Sequence, residues 1–184
     1  MSRLPVVTHS LDWMDSDRQW SAEVVDITTL PALSLLVIDH RGPVELIRPT
    51  IERLIELRQQ LGLSPDISRT FNLNYSSHPD EQGNWHIGIA AEVPAAMKAA
   101  VHASRLPAGF RLHLFGAGEY ARIRVQGGEA GLMFASRWLM TEWVPQSGYE
   151  MAEGIPLIER VQFPPMVSPE DALVDILVPI EQAL

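Results

Sequence analysis

The chain has no cysteine, which excludes disulfides, thiolate metal sites and a thiol nucleophile and fits a reducing compartment. It also lacks any uninterrupted apolar run of the length a membrane helix needs, and the N-terminal Met1-Ser2-Arg3-Leu4-Pro5 has no apolar stretch of the kind a secretion signal carries. A cytoplasmic protein without a membrane partner is the expectation. Basic residues are few, with 14 Lys and Arg against 23 Asp and Glu, for a formal net charge of -9. Phosphate backbones are bound by clustered Lys and Arg, so direct contact with nucleic acid is not expected, and no helix-turn-helix segment is evident. The same negative field raises the local concentration of cationic ligands, although it also serves solubility.

Chemistry-bearing patterns are equally sparse. The six histidines, His9, His40, His78, His86, His102 and His113, show no H-x-x-x-H or H-E-x-x-H spacing, so neither a metal site nor a cofactor is expected. Gly116-Ala117-Gly118 reads as a hairpin turn, since no Lys-Ser or Lys-Thr pair follows it. No G-x-S-x-G elbow is present, and no catalytic set can be assembled.

What the chain does have is enough apolar material for one domain with a sizeable core, 46% hydrophobic in 184 residues. Residues 1 to 21 hold Trp13, Trp20, Asp15 and Asp17 without a period and read as an N-terminal extension. From Ala22 the pattern becomes regular. Glu23 to Thr28 and Leu33 to His40 read as a hairpin around Leu30-Pro31-Ala32. Ile47, Ile51, Leu54, Ile55, Leu57 and Leu61 then trace a helix, regular over about 50 to 61, with Pro49 in its first turn and Gly62 as its stop. Phe71 to Tyr75 and Trp85 to Val93 read as two further strands.

The second half repeats this order. Phe110 to Phe115 and Glu119 to Gln126 form a hairpin, Glu129 to Trp143 a helix, and Leu157 to Phe163 and Leu173 to Ile180 the closing strands. Landmarks recur at a nearly fixed spacing: Gly42 with Gly127, Gly62 with Gly148, Phe71 with Leu157, Pro79 with Pro165, and Val93-Pro94 with Val178-Pro179. The expected architecture is α+β. Tandem β-β-α-β-β repeats, 22–94 and 110–182 joined by 95–109, form one curved antiparallel sheet with two helices on one face and a ligand cleft between the repeats.

Glu159 is the residue that points to function. In the strand Leu157 to Phe163, alternation sets Leu157, Glu159, Val161 and Phe163 on one face, placing a carboxylate among apolar neighbours. Such a charge has a partner in the chain, is protonated, or receives a cation from outside. Arg160, Arg122 and Arg124 are the candidate partners. The matching position in the first repeat is Leu73, flanked by Phe71 and Tyr75, so one half offers apolar and aromatic surface and the other a charge. The second helix carries Leu132, Met133, Phe134, Ala135, Trp138, Leu139, Met140 and Trp143, which exceeds one stripe. Aromatic rings beside a carboxylate hold organic cations, and Met adapts to varied shapes. The same residues also suit plain core.

Three segments carry a resemblance: Gly118-Glu-Tyr-Ala-Arg-Ile-Arg-Val-Gln-Gly-Gly128, Glu142-Trp-Val-Pro-Gln-Ser-Gly-Tyr149 and Pro156-Leu-Ile-Glu159. His40-Arg-Gly-Pro43 and Leu61-Gly-Leu63 agree in the first half. Over about 22 to 182 the chain resembles the GyrI-like small-molecule-binding family, whose module is also the effector-binding domain of AraC-type and some drug-sensing transcription regulators. The resemblance implies a cleft with Glu159 at its floor, and it matches Trp143 and Tyr149 to the family's Trp-x-Pro-x-Ser-Gly-Tyr segment. Where members commonly have an aromatic two residues after the glutamate, this chain has Val161.

The expectation is therefore a standalone binding module, monomer or homodimer, for cationic, aromatic or amphipathic small molecules. Its candidate binding residues are Glu159, Trp143, Tyr149, Trp138, Phe71, Tyr75 and Met133. Two alternatives remain: a hydrolase with Glu159 as general base, and a toxin-protection factor working through its acidic surface.

Overall fold

A computed structural model describes residues 5–8, 22–76, 78–126 and 129–183. The Trp and Asp residues expected in the N-terminal extension lie outside these, as does Gly127. The strands and helices run in the order β1 (Val6–Thr8), β2 (Val25–Leu30), β3 (Leu33–Gly42), α1 (Arg48–Leu61), β4 (Thr70–Asn74), β5 (Trp85–Glu92), α2 (Lys98–Ala103), β6 (Phe110–Phe115), β7 (Gly118–Gln126), α3 (Glu129–Trp138), β8 (Tyr149–Met151), β9 (Leu157–Gln162) and β10 (Leu173–Gln182). This is an α+β chain whose ladders are antiparallel apart from β1 on β7. Among the described residues no helix is long and apolar enough to cross a membrane.

The chain divides into a central unit, Pro31–Ala117, and a terminal unit, Met1–Leu30 with Gly118–Leu184. This division corrects the two expected hairpins. The central unit contains β3, β4, β5 and β6, with β3 paired to β5 and β6 and β5 paired to β4. In the terminal unit β7 pairs with β2 and β10, and β10 pairs with β8 and β9. Neither β2 with β3 nor β6 with β7 forms a ladder among the described residues. The short connections Pro31-Ala32 and Gly116-Ala117 are crossings from one unit to the other. The expected linker 95–109 is likewise more than a connector, since it contains α2, whose Val101 is buried in the central core.

Each unit packs its helix on one sheet face. In the central unit, Leu54 and Leu57 of α1 meet Leu36, Ile38, Ile89 and Ala91. Gly62 ends α1 in the left-handed region at φ 70°, with its amide donating to Arg58 and Gln59 carbonyls. In the terminal unit, Leu132, Ala135 and Leu139 meet Ile123, Val125, Ile158, Val174, Ile176 and Val178. The expected helix 129–143 is α-helical only to Trp138; Leu139–Trp143 is a π-helical turn, closed by the Val144 amide on the Leu139 carbonyl. Pro145 has no amide to continue the α ladder, and the turn widens before it.

Candidate functional site

In an antiparallel ladder, residues directly opposite share a face, so register decides what surrounds Glu159. Asp175 stands opposite Glu159 on β10 and opposite Arg124 on β7, making one row of Glu159, Asp175 and Arg124. Arg122 lies two positions from Arg124 on the same face, opposite Asp26 of β2 and Leu177 of β10. Leu157 and Leu177, both buried, border the row. The helix-side face is the other one, where Ile158, Ile176 and Ile123 stand.

Alternation thus assigned Glu159 to the face of Leu157, while its lateral neighbours are charged rather than apolar. Arg124 forms two 2.6 Å hydrogen bonds with Asp175, Nε to Oδ1 and Nη2 to Oδ2. Arg122 donates to Asp26 at 2.6 Å and lies 3.9 Å from Asp175, and its Nε is buried with no hydrogen-bond partner among the described residues. Donating its hydrogen bonds to Asp175 raises the Arg124 guanidinium above its ordinary value, burial opposes this, and the charges of Asp175 and Glu159 add to the rise. Arg124 is therefore within electrostatic reach of Glu159. Asp175 is only 1% exposed, so this pair, unlike surface ion pairs, is largely unscreened. Tyr120, two positions further along β7, has its phenol pushed up by burial.

The aromatic candidates of the terminal unit occupy the opposite face. Trp138, Trp143 and Tyr149 are half-buried against the helix-side core. Tyr149 stands opposite Gln182 of β10, on the side of Ile180, and stacks on Trp143 at 6.3 Å and 16°. Met133 is 54% exposed. Within this unit the sheet separates Glu159 from Trp138, Trp143 and Tyr149.

Phe71 and Tyr75 belong to the central unit. Phe71, Leu73, Ala90, Leu35 and Val37 are fully buried on the face away from α1. Along that face the surface turns polar. The Tyr75 ring stacks on His86 at 4.3 Å and 25°, over Gly88, where a Cβ would come 3.0 Å from the ring. Arg111 donates from Nη2 to the Tyr75 hydroxyl at 2.6 Å, and its Nη1 lies 3.0 Å from Asp39 Oδ1. Asp39 Oδ2 lies 3.2 Å from His86 Nε2. Burial raises the Tyr75 phenol above its ordinary value, and Arg111 opposes this.

Reading the sequence singled out neither Asp175, Asp26 nor the Asp39, His86 and Arg111 group. A signal did exist for part of this: Arg122 and Arg124 alternate with Ala121, Ile123 and Val125, the pattern of a polar stripe on one strand face. No group of three or more His, Asp or Glu able to hold a metal ion occurs among the described residues.

A family model described as GyrI-like small molecule binding domain matches residues 23–181. Among solved structures, the chain is similar to the EcmrR C-terminal domain, at TM-score 0.66 and 14% identity, covering 86% of this chain and 98% of that one. It is also similar to the regulator in the EcmrR-DNA complex in EcmrR-RPo, at 0.67 and 15%, covering 86% of this chain and 57% of that one. The chain thus spans little more than half of that regulator. A hydrolase from Listeria innocua matches at 0.60 and 13%, covering 85% and 91%. At these identities the likeness is one of fold. No curated protein matches in sequence.

Proposed function

The chain belongs to the GyrI-like small-molecule-binding family, and we propose that it binds organic cations on the Glu159 face of the terminal sheet. The observation that carries this reading is the charge in the central rows of that face. Asp26, Asp175 and Glu159 contribute three carboxylates, and Arg122 and Arg124 two guanidiniums. The geometry of Asp26 and Asp175 commits both arginines to those two acids. Glu159 is the half-buried third carboxylate of this row, beside buried Leu157 and Leu177. A half-buried carboxylate in a row of fixed charges suits a ligand with a positive centre.

In this proposal Glu159 reads charge, and Arg124 with Asp175 fixes the floor beside it. Trp138, Trp143 and Tyr149 shape the unit from the helix side. A general-base role for Glu159 calls for apolar surroundings, and Asp175 and Arg124 do not supply them.

The test is isothermal titration of benzyltrimethylammonium and of its neutral isostere neopentylbenzene against the parent and Glu159→Gln. A cation preference of roughly fivefold to a hundredfold is expected in the parent, lost in the variant. Equal affinity for both ligands in the parent would sink the proposal.

A further inference from the structure

We infer that the central unit carries a separate subsite for a small planar oxyanion, a carboxylate, formed by Tyr75, Arg111 and Arg41. It stands on one sheet face of that unit and does not rest on Glu159.

Strand register gathers the residues. Asp39 stands opposite Gly88, and Arg41 opposite His86, which puts all four on the face that also holds Leu73, opposite Gly88. Val37 of the same face stands opposite Arg111. Tyr75 follows Leu73 by two residues, and its ring reaches back over Gly88, the one residue that leaves room for it. Stacking on His86 and the bond from Arg111 then fix the position of the hydroxyl.

Charge and spare donors together give the ligand's sign. Asp39 is the acidic member of the group; its Oδ2 faces His86, and its Oδ1 lies 3.0 Å from Arg111 but is buried with no hydrogen-bond partner among the described residues. The Tyr75 oxygen accepts from Arg111, so its own proton is left to donate, and no acceptor for it occurs among the described residues. Arg111 keeps further N–H donors beyond those aimed at Tyr75 and Asp39, and its side chain is 40% exposed. Arg41 is exposed, and no carboxylate pairs with it among the described residues, yet its charge acts on the Tyr75 phenol. Donors remain on Tyr75, Arg111 and Arg41. Two guanidiniums against one carboxylate leave this patch positive on a chain whose net charge is -9, the reverse of the Glu159 face. A carboxylate takes hydrogen bonds from a phenol and guanidiniums together.

Titration of the full chain with benzoate, benzyl alcohol, benzylammonium and benzyl phosphate tests this, followed by isothermal calorimetry and by amide chemical shifts in β3, β5 and β6. Saturable benzoate binding is expected at millimolar concentration or below, with benzyl alcohol and benzylammonium inactive. Tyr75→Phe removes one charge-assisted donor and should weaken benzoate about tenfold. Arg41→Gln, on an exposed side chain that makes no structural bond, should weaken it several-fold with an unchanged circular dichroism spectrum; Arg48→Ala, on the exposed side of α1, should leave it unchanged. Absent benzoate binding, or binding indifferent to both Tyr75→Phe and Arg41→Gln, would overturn the subsite. Tighter binding of benzyl phosphate than of benzoate would overturn the carboxylate assignment.

Discussion

Asp175 is held by Arg124 through two 2.6 Å hydrogen bonds while standing directly opposite Glu159, so one buried carboxylate links a bidentate ion pair to the proposed ligand-reading residue. Desolvating such a pair is costly, and removing one partner leaves the other charge uncompensated. Asp175→Asn should therefore cost about 3 kcal/mol of stability, the low end of the usual range, because the Arg124 side chain is 25% exposed. Arg48→Ala breaks the pair Arg48 and Glu52, whose side chains are 85% and 55% exposed, and should change stability by less than about 0.5 kcal/mol. Urea denaturation of both variants measures the contrast. Equal effects would mean that the Asp175 pair is as solvated as the surface one.

The alkaline limb of stability should report Tyr75 and Tyr120. Burial raises both phenols above the ordinary value of 10. The folded chain thus holds these protons more tightly than the unfolded chain does. Their contribution is intact below pH 10 and is lost as pH rises through the higher folded-state values. Spectrophotometric titration of the parent, Tyr75→Phe and Tyr120→Phe should show that each substitution removes a transition lying above the ordinary one. If either phenol titrates normally in the folded chain, its proposed burial effect is wrong.

Gly88 is where the central face is most sensitive to a single methyl. A Cβ there would lie 3.0 and 3.1 Å from Tyr75 Cε2 and hydroxyl and 3.2 Å from Leu73 Cβ. The tyrosine is half-buried and can swing away, whereas Leu73 is fixed in the core. Gly88→Ala should cost about 1–3 kcal/mol by overpacking and abolish the ring stacking on His86. Loss of the ring-current shift on the His86 protons, read by NMR, checks it. A His86 spectrum unchanged in Gly88→Ala would show that Tyr75 does not lie over Gly88.

Much of this was legible in the sequence, and the failures have a common cause. Period-two and period-3.6 patterns located the strands and α1 closely, and Pro49 and Gly62 marked where that helix begins and ends. Alternation also grouped Glu159 with Leu157. What it could not supply is the lateral neighbour, because Asp175 comes from another strand, and the choice between Leu157 and Ile158 as the helix-side residue is invisible when both are apolar and buried. The π turn was hidden for a similar reason, since Leu139 to Trp143 continues an apolar helical composition up to Pro145. Landmark spacing shares the limit. With Leu73 set on Glu159, as the landmark spacing expects, the ladder rows would pair Asp39 with Arg124 and Gly88 with Asp175, spacings of 85, 86 and 87 residues, so Val93-Pro94 and Val178-Pro179, spaced 85, would be offset by two in the ladder.

Strand exchange is the boldest departure from local reading, because Leu30-Pro31-Ala32 between two apolar runs is what a hairpin looks like. The described ladders instead set Ile27 opposite Ala121 and Val25 opposite Ile123, nearly a hundred residues away in sequence. The absence of native cysteine makes this directly testable. Two cysteines bridge when their Cα atoms lie about 4.4–6.8 Å apart with facing Cβ vectors, which opposite residues of an antiparallel pair approach. A double variant of Ile27→Cys and Ala121→Cys should oxidise readily to an intramolecular disulfide. A pair that would face each other only in a β2 and β3 hairpin, Thr28→Cys with Leu35→Cys, should stay reduced. Closing the long loop between Ile27 and Ala121 should also stabilise the chain by about 3–5 kcal/mol if the geometry is unstrained. Mass spectrometry after mild oxidation and denaturation with and without reductant read both effects. Ready bridging of Thr28→Cys with Leu35→Cys, and none between positions 27 and 121, would restore the local hairpin and overturn the exchanged topology.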